Sequence, residues 1–266
     1  MTTTPKNTDS QLNAVGRRPV RHDGYDKVTG KALYGADMNL PGMLYGRILR
    51  SPHAHARIIS IDISKAQAHP DVNAVITNAD FPQHKNESST PIPGPALNAK
   101  EQTENILASE KVLYKGHPIA AVAAATVHAA EEALSLIEIQ YEILGSVSTV
   151  EEAIAPDAPQ LHSQYKGNVA SHTQLEIGDV DKGFKVAEHV IEKEFRTSTV
   201  HQGYIEPHSA TGWWTANNKV TVWGSSQGHF QIRDKTAVVL GIPYSSVSYT
   251  HLRAHETRHD LVCRLL

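Results

Sequence analysis

His201, Glu206 and His208 fall within the stretch HQGYIEPHSATGWW, and two imidazoles with a carboxylate are a donor set that could hold zinc and activate water for hydrolysis. Pro207 follows Glu206 directly and breaks the helical spacing on which such ligands are usually presented, so the same residues also read as polar support for a β-turn beside Trp213 and Trp214. His53 and His55, in SPHAHARI, alternate at strand period and would share one face. No third ligand accompanies them, and a hydrogen-bonded strand face accounts for both. Gln227, in SSQGHF, stands where a strand pattern gives way to a helix pattern. Such junctions bring side chains and backbone amides to a ligand crevice in α/β layers, although a capping role would also use a glutamine there.

GYDKVTGKA is not a phosphate loop, because five residues separate Gly24 from Gly30 where the motif needs four, and Ala32 replaces the magnesium-binding hydroxyl. No GxGxxG occurs. The one cysteine, Cys263, excludes disulfides, thiolate zinc sites and iron–sulfur clusters from this chain.

The elements that must position these residues are legible in outline. A chain of 266 residues with 40% hydrophobic and 20% charged residues has material for two domains, and its net charge of −3 points to no nucleic-acid or membrane partner. Residues 1–18 read as a disordered leader on a cytoplasmic protein, since Arg17 and Arg18 are followed by Pro19 rather than an apolar run. From Ala32 to Ile63 the pattern is of strands broken by turns, and Phe81–Gln102 reads as a long surface loop. HPIAAVAAA is a buried strand. Thr126 then caps a helix with Val127, Ala130, Leu134 and Ile137 on one stripe, and Ile139, Tyr141 and Ile143 alternate as a strand. Ser148 to Glu151 form a capping box for a helical turn that Pro156 closes. GDVDKGFKVAEHVIEKEF predicts a short helix running into a strand, and ATGWWTANNKVTVWGSS a hairpin turning at Asn217 and Asn218. A helix with Ile232, Thr236, Val239 and Leu240 on one side follows, stopped by Gly241 and Pro243.

Taken together these stretches resemble a known family. VGRRPVRHDGYDKVTGKALYGADMNLPGMLYGRILRSPHAHARIISIDISKA, followed by YKGHPIAAVAAATVHAAEEALSLIEIQYEIL, is similar to the hammerhead α/β domain of molybdenum hydroxylase large subunits, the xanthine dehydrogenase and aldehyde oxidase family. GDVDKGF, GYIEPHSA and WGSSQGHFQIRDKTAVVLGIP resemble the start of the molybdopterin-binding domain of that family. The resemblance implies a fold of α/β and α+β class: a leader over 1–18, a hammerhead domain over 19–147, a linker over 148–170, and the truncated start of a molybdopterin-binding domain over 171–247. Residues 248–266, SYTHLRAHETRHDLVCRLL, instead resemble a translated sequencing adaptor, so Ser248–Leu266 is expected to be a non-native tail and Cys263 an accident.

The resemblance implies a molybdenum-molybdopterin cofactor, in the cytosine dinucleotide form, with the metal held by the pterin dithiolene and by no side chain of this chain. It assigns cofactor contact to Gln227, whose amide would donate to a metal oxo group, and to Gly228; no catalytic residue falls within the chain, because the family's general-base glutamate lies further on. The implied reaction oxidises an N-heterocycle, an aldehyde or an aryl thioester, with water as oxygen source. Electrons would pass to an iron–sulfur subunit and an FAD subunit, making a hetero-oligomer. The fragment alone would be inactive. Two other readings stand beside this one: a non-catalytic α/β binding or assembly module, and a zinc hydrolase using His201, Glu206 and His208.

Overall fold

A computed structural model describes residues 20–82, 99–201, 203, 208–226 and 228–251. In chain order the strands are β1 (Tyr45–Arg50), β2 (Ala56–Asp62), β3 (Val72–Thr77), β4 (Lys111–Val112), β5 (Pro118–Ala124), β6 (Glu138–Ile143), β7 (Ala210–Trp214), β8 (Val220–Gly224) and β9 (Val247–His251). The helices are α1 (Gly24–Val28), α2 (Ser64–Gln67), α3 (Ala99–Ile106), α4 (Val127–Ser135), α5 (Val150–Ala153), α6 (Val180–Val186) and α7 (His229–Leu240). The described residues of 39–203 and 230–247 pack as one compact unit, and those of 1–38, 204–229 and 248–266 as another.

The larger unit carries two three-stranded sheets, ordered β1-β5-β3 and β4-β2-β6. Every pairing between these strands is antiparallel. β5 is the central strand of its sheet, which explains its run of small apolar residues: Ile119, Ala120, Val122 and Ala124 are all buried, and residues as small as alanine let layers approach on both sides. Ala120, Val122 and Ala124 join a core cluster with Ala129, Ala130 and Ala133 of α4 and Ala66 of α2. Ile119 belongs to a second cluster with Ala56, Ala108 and Val112.

Thr126 caps α4 as the sequence predicts, accepting from the Ala129 N–H at 3.1 Å. The buried face differs from the predicted stripe, because Ala129, Ala130 and Ala133 face inward while Val127 stays exposed. β5, α4 and β6 follow one another as expected, yet the two strands end in different sheets, so the unit is not a parallel strand–helix–strand layer. The last residues of the expected surface loop open α3, a helix hidden in the sequence by the prolines before it; 83–98 lie outside the described residues. The predicted capping box is displaced by one residue. Thr149 Oγ1 accepts from the Glu152 N–H and the Glu152 carboxylate accepts from Thr149 N–H, so Thr149 and Glu152 cap the start of α5.

In the smaller unit β7 and β8 form the predicted hairpin, with Asn218 at φ 58°, in the left-handed region that asparagine tolerates. In the larger unit, Gly241, at φ 64°, ends α7 as expected. β9 runs to His251, past the Val247 junction. Its residues, Val-Ser-Tyr-Thr-His, suit a strand whatever their origin, so the strand does not bear on where native sequence ends. Also in the larger unit, Asp179 caps α6, accepting from Lys182 N–H at 2.8 Å, but the strand expected after it does not form: residues 187–200 have no strand partner among the described residues.

Candidate functional site

The β8–α7 turn is built from glycines and hydroxyls. β8 ends at buried Gly224, opposite Ala210 at the start of β7. A Cβ on Gly224 would sit 3.4 Å from the Ser209 carbonyl oxygen and 3.6 Å from the Ala210 Cβ, so the absent side chain keeps the strand ends close. A 3-10 turn, Gly35–Asp37, packs on the same serine: a Cβ on Gly35 would collide with Ser209 Oγ and lie 3.4 Å from its carbonyl oxygen. The Tyr34 N–H donates to the Asp37 carboxylate at 2.9 Å and holds that turn closed. Ser209 Oγ is buried and has no hydrogen-bond partner among the described residues. An unpaired buried hydroxyl costs about 1–3 kcal/mol, so a ligand able to pair with it would be favoured.

Beyond Gly224 the chain passes through Ser225 and Ser226 into α7. Gln227 lies outside the described residues. Gly228 donates its N–H to Ser226 Oγ at 3.0 Å. The first turn of α7, a helix of 12 residues, presents N–H groups without partners inside the helix, and the helix dipole favours negative charge there. Tyr249 donates to the Gly224 carbonyl at 2.9 Å, but it lies within the expected tail and carries no part of the site.

The sequence carries a further signal at this turn. Gly224, Ser226 and Gly228 match GxSxG, the spacing of a hydrolase nucleophile elbow, in which the serine sits in a strained turn beside a base. Ser226 is not so held: the non-glycine residues with positive φ among those described are Asn168 and Asn218, and Ser226 Oγ accepts the Gly228 N–H. The geometry is that of a serine closing the turn just before a helix.

The other predicted residues do not assemble into a metal site. His201 Nδ1 accepts from Gly203 N–H at 3.1 Å, His208 is exposed, and Glu206 lies outside the described residues. Among the described residues, no three His, Cys, Asp or Glu side chains gather as metal ligands. His255, Glu256 and His259 have HExxH spacing, but they belong to the expected tail and lie outside the described residues. His53 and His55 do not share a strand face as expected; they occupy the turn before β2, which begins at Ala56. His53 packs edge-on against Tyr141, with centroids 4.9 Å apart. His55 is buried and its Nδ1–H donates to the Gly145 carbonyl at 2.5 Å, fixing the chain where it leaves β6.

Sequence reasoning missed a polar cleft of about 400 Å³ between α3 and the segment around His162. Glu101 is buried there and accepts from Gln164 Nε2 at 2.6 Å and from the Tyr165 hydroxyl at 2.7 Å. That bond to Glu101 pushes the Tyr165 hydroxyl above the ordinary phenol value. His117, fully buried, accepts from Leu113 N–H at Nδ1 and donates from Nε2 to the Glu104 carbonyl, so it is the neutral Nε2–H tautomer. Burial holds its pKa below the ordinary histidine value, against a smaller upward effect of Glu104. These groups satisfy one another, and the cleft reads as a polar joint. The contacts span distant stretches of sequence, and no local motif announces them.

Comparison with known proteins decides the family. The aldehyde oxidase and xanthine dehydrogenase a/b hammerhead domain matches residues 29–145, and the molybdopterin cofactor-binding domain matches residues 161–254. This chain belongs to the xanthine dehydrogenase and aldehyde oxidase family. It is 35% identical over 233 residues to the nicotinate dehydrogenase large molybdopterin subunit of Eubacterium barkeri, covering 88% of this chain and 52% of that one. It is 33% identical over 247 residues to the carbon monoxide dehydrogenase large chain of Afipia carboxidovorans, covering 88% and 30%. Quinoline 2-oxidoreductase from Pseudomonas putida 86 superposes with a TM-score of 0.72 at 27% identity, over 89% of this chain and 30% of that chain. The aldehyde oxidoreductase of Desulfovibrio gigas gives 0.73 at 26% identity, over 87% and 26%. The chain thus spans about half the length of one such relative and under a third of the others.

The molybdenum hydroxylase family implies a pterin-borne molybdenum, and the residues of the β8–α7 turn fit an oxygen-rich, anionic group of that kind. The Ser225 and Ser226 hydroxyls and Ser209 Oγ, which has no partner among the described residues, supply hydrogen bonds without supplying metal ligands. Among the described residues no helix is long and apolar enough to cross a membrane.

Proposed function

We propose that this chain is the N-terminal part of the large subunit of a molybdenum-dependent hydroxylase that oxidises an N-heterocycle, an aldehyde or an aryl thioester with oxygen from water. The observation that carries the reading is the tandem order of the hammerhead and cofactor-binding matches, with a glycine- and serine-built helix start inside the second. The cofactor, taken as the cytosine dinucleotide form of molybdopterin, supplies the oxygen-transfer and electron-accepting chemistry when bound.

Within this chain, Gln227 and Gly228 are the cofactor-contacting pair. The Gln227 amide N–H₂ donates a hydrogen bond that orients the bound group. Gly228 leaves the approach free of a side chain, while its N–H, engaged by Ser226 Oγ, fixes the turn. His201 and His208 belong to the scaffold. Iron–sulfur and FAD centres sit on partner subunits of a cytoplasmic hetero-oligomer, a reading supported by relatives that are named as subunits or large chains of their enzymes.

Kinetics of Gln227→Ala in the intact enzyme test the assignment. A hydrogen bond to a strongly polarised acceptor is worth roughly 1.5–3 kcal/mol, so kcat should fall by about one to two powers of ten while the fold survives. Wild-type turnover in that variant would remove Gln227 from the site.

A further inference from the structure

His117 takes no part in the proposed chemistry, yet its buried ring joins separate segments of the larger unit. Its Nε2–H donates at 2.9 Å to the carbonyl of Glu104, in the last turn of α3. That carbonyl has lost its ordinary helical donor, because Ala108 N–H is turned to the Pro118 carbonyl at 2.8 Å. The imidazole therefore caps the helix. Its Nδ1 accepts at 3.2 Å from the N–H of Leu113, the first residue after β4. At the far end of the turn from Leu113 to His117, Gly116 N–H donates to the Ser51 carbonyl and Ser51 N–H to the His117 carbonyl, both at 2.9 Å. Tyr114 lies over the ring with centroids 4.5 Å apart, so the near half of the turn rests on the imidazole.

Only the neutral ring fits both partners. An imidazolium carries a proton on each nitrogen, so its Nδ1–H would face the Leu113 N–H, two donors with no acceptor between them, while the bond to Glu104 survives. We propose that His117 is an acid-operated latch: neutral, it ties the turn to α3; protonated, it stays on α3 and releases Leu113 and Tyr114, opening the cleft between α3 and residues 161–164. The charged groups around the ring are of both signs. On α3, the Glu104 carboxylate favours the imidazolium but lies 3.7 Å from Lys100 Nζ, and Glu101 is engaged by Gln164 and Tyr165. Glu110 and Lys111 line the cleft with opposite charges, and His162, from across it, opposes protonation. Burial is the largest influence and also opposes the charge, so release falls on the acid side of 6.5, the ordinary histidine value. A glutamine could make both bonds without titrating, its amide oxygen accepting from Leu113 and its amide nitrogen donating to Glu104. The imidazole adds the response to a proton.

Site-resolved hydrogen–deuterium exchange on the intact subunit, read as protection factors from about pH 7.5 down to about pH 4.5, tests the latch. Protection of the Leu113 N–H should fall by about tenfold or more through the acid range while the amides of β5 keep theirs. His117→Gln should keep Leu113 protected throughout, and His117→Ala should leave it unprotected throughout. Leu113 protection that does not change with pH in the wild type overturns the proposal. So does a fall shared by β5, which is unfolding of the unit rather than release of a turn, or an equal fall in folded His117→Gln.

Discussion

Gly35 and Ser209 show how much of the site depends on a single missing side chain. A Cβ at Gly35 collides with Ser209 Oγ, so Gly35→Ala should lower the melting temperature of the intact subunit by an overpacking cost of about 1–3 kcal/mol. Ser209→Ala in the same chain removes the colliding oxygen and should restore most of that loss. An additive double mutant would contradict the contact. His117 gives a pH prediction. Buried, stacked on Tyr114 at 4.5 Å and facing Glu104 and His162, it takes up a proton less readily folded than unfolded. Its contribution to stability is therefore complete above the ordinary value of 6.5 and declines as pH falls below it. Melting temperature measured on the acid side of that value should drop, and the drop should flatten in His117→Gln. At this scale the sequence marked the strand-to-helix junction between β8 and α7, because such a junction is a local pattern, while Gln227 itself lies outside the described residues. The sequence misplaced His53 and His55, since alternation alone cannot distinguish a strand from the turn before it, and the Gly35–Ser209 contact joins residues too distant for any local signal.

At the scale of elements, β5 is the member on which both core clusters of the larger unit depend. Ile119 is fully buried in one cluster and Ala120 in the other, so Ile119→Ala should destabilise the unit by about 2–5 kcal/mol, read as a shift in denaturation midpoint. Less than about 1 kcal/mol would mean that the second cluster is not a packed core. Limited trypsin digestion checks the exposed stretch over 169–200. Lys182, Lys185, Lys193 and Arg196 lie in it and should be cut first, leaving a resistant fragment that contains β1 to β6. A resistant species that retains these sites uncut would contradict the exposure. β5, α4, β6, the β7–β8 hairpin and α7 were legible because each carries its own period and punctuation. The strand expected at the end of GDVDKGFKVAEHVIEKEF does not form among the described residues, because a strand needs a partner to satisfy its backbone groups. The sheet order was not legible, because antiparallel pairing of β5 with β1 and β3 depends on contacts far apart in sequence.

Across the whole molecule, the order of the two matched domains carries the assignment, and the second match ends at residue 254, inside the expected tail. If Ser248–Leu266 is adaptor-derived, genomic DNA read across the Val247 codon should encode a glycine-rich loop in place of SYTHLRAHETRHDLVCRLL. The HETRH spacing would then vanish, and with it a false zinc signature. Metal content of the intact subunit purified from its native host tests the central claim most directly. Elemental analysis should find molybdenum equimolar with the subunit, and His201→Ala and His208→Ala should leave that ratio unchanged. Equimolar zinc without molybdenum, lost in the histidine variants, would contradict the account and return HQGYIEPHS to the role of metal ligand.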